Sequence, residues 1–218
     1  MKRILFVVVL FVFSLLPITS FAAGPAYNWT GFYAGLQGSY ITGSSDWEFD
    51  NGAQTDHSTK GGIGGLFFGY NYQFPFNLVV GVETDIGAGE IYGSDSCPNA
   101  DYNCKSKTSW LGATRFRLGY AIDRFLPYIG IGIAYTEIKL TGERISISEE
   151  WKAKDSYVGW TPAIGFDFAI TNNLLANFEY AYYDFGKEKT ELVYGGASDA
   201  LENKVRFHGF KIGIGWKF

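Results

Sequence analysis

The chain has 218 residues, one domain's worth of length, with 18 Lys+Arg against 22 Asp+Glu. The net charge of −4 and the lack of any Lys/Arg stripe exclude a nucleic-acid partner. With 28 Gly, 19 Phe, 15 Tyr and 6 Trp against a single Met, the composition favours strands over helices.

The N-terminal stretch is a targeting segment. Lys2 and Arg3 precede an apolar run from Ile4 to Leu16 that only Ser14 interrupts; Pro17 breaks it, and Ser20-Phe21-Ala22 places small residues at a cleavage site. Residues 1–22 are expected to be a secretory signal peptide, too short to span a bilayer as a helix. Residues 23–218 are expected to form one domain. Removing Lys2 and Arg3 leaves 16 basic residues against 22 acidic ones.

Beyond Ala22 no apolar stretch is long enough for a transmembrane helix. Period-two alternation recurs instead, over 32–40, 66–73, 78–87, 110–120, 128–135, 158–168, 174–182 and 210–218. Each run supplies about the 9–11 tilted residues that a membrane-crossing strand needs. One beat is large and apolar; the other is read as small or polar. Tight turns are expected around Pro75, Asp123 and Asn172-Asn173. Long polar loops are expected over 43–60, 93–107, 142–155 and 186–203. Short and long connections alternate strictly, so all short ones fall at one end of the molecule. Backbone groups in hydrocarbon must all be paired, which forces a sheet to close. The expected fold is therefore all-β: an eight-stranded antiparallel up-and-down transmembrane barrel in a Gram-negative outer membrane.

The last run gives Phe210, Ile212, Ile214, Trp216 and Phe218 a single outward face. It resembles the C-terminal recognition signal of outer-membrane proteins, and this implies insertion by the outer-membrane assembly machinery. Three longer stretches, 27–40, 110–135 and 159–186, resemble the opacity-protein-like "porin family" of small outer-membrane barrels. That resemblance implies the barrel fold and spans nearly the whole mature chain. Its members include structural barrels, adhesins, surface antigens and hemin-binding proteins.

Seven charged residues fall on the inward beat: Glu83, Asp85, Arg115, Arg117, Asp167, Glu179 and Lys211. An eight-stranded barrel is nearly filled by its own side chains, so these are expected to form a buried ion-pair network rather than a wet pore lining. A register centred near Ala100 sets Asp85 opposite Arg115 and Glu83 opposite Arg117, with Gly130 and Gly132 leaving room for the arginines. A register centred on Asn173 sets Asp167 opposite Glu179. One centred on Gly195 brings Lys211 opposite Glu179 as their counter-ion.

Other features point to less. His57 and His208 are the only histidines and the only heme or metal candidates; a solvated loop histidine and a rim histidine are their ordinary readings. Cys97 and Cys104 are the only cysteines and share one loop of an exported chain, so a disulfide is expected. Asp184-Phe185-Gly186 spells a kinase tripeptide without its companion motifs and is read as a strand end turning into a loop. The Gly-x-Gly pairs complete no phosphate-binding pattern.

No catalytic constellation and no cofactor are expected. The sequence reads as a non-enzymatic surface protein that supports the envelope and presents four loops. One alternative is a hemin-binding protein or adhesin using His57, Trp47, Phe49 or Trp151. Another is a lipid-modifying enzyme built on His208 beside a rim serine.

Overall fold

The computed structural model describes residues 27–49, 54–96, 102–144, 149–194 and 197–218; the proposed signal peptide lies outside them. Among the described residues the strands are β1 (Gly31–Phe49), β2 (Gln54–Gln73), β3 (Leu78–Ser96), β4 (Tyr102–Tyr120), β5 (Phe125–Arg144), β6 (Glu149–Ala169), β7 (Leu174–Tyr194) and β8 (Ala197–Lys217). They pair antiparallel in chain order, and β8 returns to β1 to close the barrel.

The tight turns close where Pro and Asn/Asp interrupt alternation. Phe74 N–H donates to Leu78 O at 2.8 Å around Pro75, and Asn77 adopts a positive φ of 65°. Ile122 and Phe125 exchange two backbone hydrogen bonds around Asp123, whose φ is 50°. Both residue types tolerate this left-handed backbone better than most.

The other end differs from expectation. Each strand runs 19–21 residues, about twice what a crossing needs. Most of the stretches expected to be long loops continue as paired strands: β1 and β2 stay in register from Gly31↔Asn71 up to Glu48↔Gln54. His57 thus stands on β2 opposite Ser45. Those stretches carry polar residues on both beats and read as loops, yet the ladder needs only backbone groups. Asp184-Phe185-Gly186 is likewise not a strand end. β7 continues through it with a register shift between Asp184 and Lys187, where Gly186 takes φ 70° and donates its N–H to Asp184 Oδ1 at 2.9 Å. The tripeptide is a β-bulge, with glycine at the position that needs the left-handed backbone.

The outer face carries the apolar band that lipid requires. Leu36, Leu66, Ile86, Phe116, Ile131 and Ile212 are all about half exposed or more. Aromatic residues bound it below, among them Phe32, Tyr72, Phe76 and Trp216, and above, among them Tyr40, Tyr92 and Trp160. The five outward residues of the C-terminal run, Phe210, Ile212, Ile214, Trp216 and Phe218, are each 51% exposed or more.

Candidate functional site

The described lumen is filled in three layers. The lowest is a stopper that the sequence reading missed. Residues 27–30 precede β1 and cross the periplasmic mouth. Trp29 is 1% exposed, and its indole Nε1–H donates to Asp123 O at 3.0 Å across the barrel. Its backbone N–H donates to Gln73 Oε1 at 2.8 Å, and Tyr27 Oη donates to Asn172 O at 3.2 Å. The strap is thereby pinned to all three tight turns. Beneath it Tyr27 and Trp29 pack with Tyr33, Phe67, Val79, Leu126 and Leu175. The strap precedes the first alternating run, and only two aromatics two residues apart, Tyr27 and Trp29, hint at burial.

The middle layer is ionic. Glu83, Asp85, Arg115, Arg117, Asp167, Glu179 and Lys211 are each at most 6% exposed. Arg115 Nη1 lies 2.5 Å from Asp85 Oδ1 and 3.4 Å from Glu179 Oε1, while Nη2 donates to Tyr183 Oη at 3.1 Å. Arg117 Nη1 lies 2.5 Å from Glu83 Oε2, and its Nη2 lies 2.5 Å from Asp167 Oδ2. Its guanidinium stacks 3.6 Å over the Tyr128 ring, a stabilising cation–π contact. Lys211 Nζ bridges Asp85 Oδ1 at 2.8 Å and Glu179 Oε1 at 3.2 Å. Three cations thus serve four carboxylates, because each cation bridges two of them.

The registers behind these contacts differ from those expected. Arg115 stands opposite Glu83, not Asp85; Arg117 stands opposite Gly81; Asp85 faces Ala113. Above the irregularity between Ala88 and Ile91 the ladder already runs one residue off the expected register, with Ile91 opposite Thr108, and the bulge there adds a second residue below it. Arg115–Asp85 and Arg117–Glu83 therefore meet as diagonal neighbours, within reach of a long side chain. Asp167 and Glu179 do not face each other either: Asp167 faces Asn177, and Glu179 faces Gly165. The turn between β6 and β7 centres one residue earlier than the sequence suggests. Lys211 does stand opposite Glu179, but it leaves Asp167 to Arg117.

The polar partners were also missed. Asn177 Nδ2 donates to Asp167 Oδ1 at 2.6 Å and to Tyr128 Oη at 3.0 Å. Tyr33 and Tyr128 donate to Glu83 and Glu179 at 2.9 and 3.1 Å. Tyr33, Tyr128 and Tyr183 all occupy the inward beat, and a tyrosine on a beat otherwise small or charged was the available signal.

The upper layer corrects the expectation of an interior that is merely small or polar. Ile41, Ile63, Ile91, Leu111, Phe185 and Phe207 form, with others, a buried apolar cluster inside the barrel. Beside Asp85 and Lys211 the lumen leaves a cavity of about 10 Å³, the room of a single water.

The remaining candidates lie apart from this core. His208 points outward at the upper girdle, its Nδ1 2.7 Å from Tyr180 Oη and its ring 5.2 Å from that of Tyr182. Tyrosines, rather than the rim serine that an enzyme reading needs, are what it touches. The side chains of His57, Trp47, Phe49 and Trp151 lie outside the described residues, as does Cys97; Cys104 occupies a β4 position opposite Asp95, and its side chain is not described.

The profile described as "Outer membrane protein beta-barrel domain" matches residues 10–218. The chain belongs to that family. It is 34% identical over 207 residues to the 31 kDa outer-membrane immunogenic protein of Brucella melitensis, covering 88% of this chain and 85% of that one. It is also 34% identical to the 22 kDa outer membrane protein of Rhizobium leguminosarum bv. viciae over 195 residues, 89% of this chain and 80% of the relative. Among solved structures, the outer membrane protein OprG from Pseudomonas aeruginosa superposes with a TM-score of 0.54 at 18% identity, covering 88% of this chain and 97% of that one. As an outer membrane protein beta-barrel domain, the chain is a surface protein of the Gram-negative outer membrane.

Proposed function

We propose that this barrel is a sealed, non-enzymatic structural element that supports the outer membrane and holds four hairpins outside it. The observation that carries the reading is the filled lumen: an aromatic strap, an ionic layer and an apolar layer stacked along the axis. A conducting or substrate-admitting barrel keeps its interior wet. The paired strand extensions above the membrane make stalks for the segments they carry, as a display scaffold requires. Relatives named as immunogenic outer-membrane proteins support surface presentation. Its direct partners are then outer-membrane lipid along the apolar band and the assembly machinery through the C-terminal strand.

Planar-bilayer recording of the refolded full chain tests the sealed lumen. The expected record lacks large, stable, porin-sized steps. Such steps, appearing reproducibly in the wild-type protein, overturn the reading.

A further inference from the structure

The upper rim carries a row of lysines that the sealed-lumen reading does not use. Directly opposed residues link all eight strands through Tyr182↔His208, His208↔Thr42, Thr42↔Lys60, Lys60↔Tyr92, Tyr92↔Lys107, Lys107↔Lys139 and Lys139↔Lys154. On β2 to β5 this row reads Lys60, Tyr92, Lys107, Lys139. Lys60 and Lys139 are exposed and Lys107 is half-exposed. Their inward neighbours Thr59, Thr108 and Ile138 are buried, so the lysines stand on the lipid-facing side of the wall. On β1 the row passes just above the upper aromatic girdle, Tyr40 being one outward step below Thr42. Because the strands tilt, the row climbs from there through Lys60 and Lys107 to Lys139, on the outer-leaflet side of the girdle.

Two lysines directly opposite one another are unfavourable unless an anion lies between them. Lys107 is paired with Glu90, and Glu137, outward on the same side, has a partner of its own. Lys60 and Lys139 have no carboxylate partner among the described residues. Lys60 and Lys139, without carboxylate partners, therefore flank the Lys107–Glu90 pair along the rim.

Below Lys60 the wall is shallow. Gly62 and Gly64 are its next outward neighbours on β2. Gly64 pairs with Gly38 on one side and Ala88 on the other. Nothing lies within 4 Å of where a Cβ would stand on Gly38 or Gly64. Leu36, Leu66 and Ile86 form the next row down and are about half exposed or more. An apolar trough thus opens beneath a cationic rim.

We propose that Lys60, Lys107 and Lys139 bind the phosphate groups of an outer-leaflet lipid whose acyl chain lies in the Gly38–Gly64–Ala88 trough. Flexible ammonium groups on long apolar stems suit a headgroup above a hydrocarbon surface. The proposal rests on the outer-membrane placement and stands whether or not the lumen conducts.

The test uses the folded full chain in detergent and native mass spectrometry with three probes: diphosphorylated lipid A, the same lipid dephosphorylated, and inorganic phosphate. Diphosphorylated lipid A should bind, the dephosphorylated form should bind at least about tenfold more weakly, and millimolar inorganic phosphate should not displace the lipid. At about fivefold per interfacial lysine, the triple variant Lys60→Gln/Lys107→Gln/Lys139→Gln should lose on the order of a hundredfold in affinity. Lys204→Gln on β8 should lose little. All these positions are solvent-accessible, and gel mobility of unheated against heated samples confirms that each variant is folded. Equal binding of both lipid forms, displacement by inorganic phosphate, or full binding by the triple variant overturns the proposal.

Discussion

Replacing Arg117 by Met removes the cation that two buried carboxylates share. Arg117 lies 2.5 Å from both Glu83 and Asp167, and both acids are at most 4% exposed. Methionine keeps much of the volume over Tyr128, so the loss is mostly electrostatic. Breaking one buried pair by deleting a partner costs about 3–5 kcal/mol. An independent route reaches a similar figure. The stranded carboxyls can escape by taking up protons, and holding an ordinary carboxyl neutral at pH 7 costs about 4 kcal/mol. One protonated acid gives about 4 kcal/mol and two give about 8 kcal/mol, so the expected loss is roughly 4–8 kcal/mol. With a urea slope of about 1–3 kcal/mol per molar, the midpoint in lipid vesicles should fall by at least roughly 1–3 M. The gap to wild type should narrow as pH falls towards 4, where protonation becomes nearly free. Adding Glu83→Gln and Asp167→Asn to Arg117→Met should restore most of the loss, because no charge is then left unpaired. Arg206→Ala, which breaks a rim pair with Asp46 that is more than a third exposed, should cost at most about 1 kcal/mol. An Arg117→Met barrel that unfolds at the wild-type urea concentration would falsify the buried network and leave a wet lumen as the remaining account.

Four further outcomes are expected. Gly132→Ala should destabilise by more than Gly130→Ala in the same urea assay, since a Cβ at 132 meets Thr114 O at 1.9 Å whereas one at 130 meets nothing closer than 3.4 Å; equal effects contradict the packing of β5 on β4. Trp29→Ala should cost about 3–5 kcal/mol, the usual loss for a buried Trp, and a wild-type midpoint means the strap does not close the mouth. Thiol labelling of the native protein should find no reactive Cys97 or Cys104 without reductant; the bridge should constrain the unfolded chain by roughly 2–3 kcal/mol, and two reactive thiols refute it. Intact mass of the membrane-inserted protein should begin at Ala23; a mass retaining residues 1–22 refutes signal cleavage.

Strand number, closure and the inward charges were legible because each leaves a period-two trace. The turns at Pro75, Asp123 and Asn172-Asn173 were legible because those residues suit turn backbones. Three things left no such trace. The strand extensions alternate in register but not in hydropathy, so 43–60 read as a loop although Thr42 to Glu48 pair with Lys60 to Gln54. The strap at Tyr27 and Trp29 is irregular backbone held by three separate turns, a long-range arrangement that no local pattern encodes. The upper apolar layer was hidden because Ile41, Ile63 and Ile91 stand just outside the alternating runs, among polar neighbours.

The register error itself explains what the ionic layer contributes. In-and-out alternation penalises a slip of one residue, because every side chain then changes face. A slip of two keeps each side chain on its own face, so lipid contact and lumen burial do not oppose it. Placing Asp85 opposite Arg115 was such a two-residue slip, and hydropathy alone has no means of rejecting it. The charged side chains do. In the observed register Arg117 reaches Glu83 and Asp167, while Arg115 and Lys211 converge on Asp85 and Glu179. Moving β4 by two residues against β3 while β5 and β6 stay in place pulls Arg117 away from Asp167 or Arg115 away from Glu179. Each such loss strands a buried charge at a cost of several kcal/mol. The network spans β3, β4, β6, β7 and β8, so it constrains several interfaces at once. Its contribution is therefore read best as register specificity: the apolar layers favour a filled barrel, and the ionic layer selects which one.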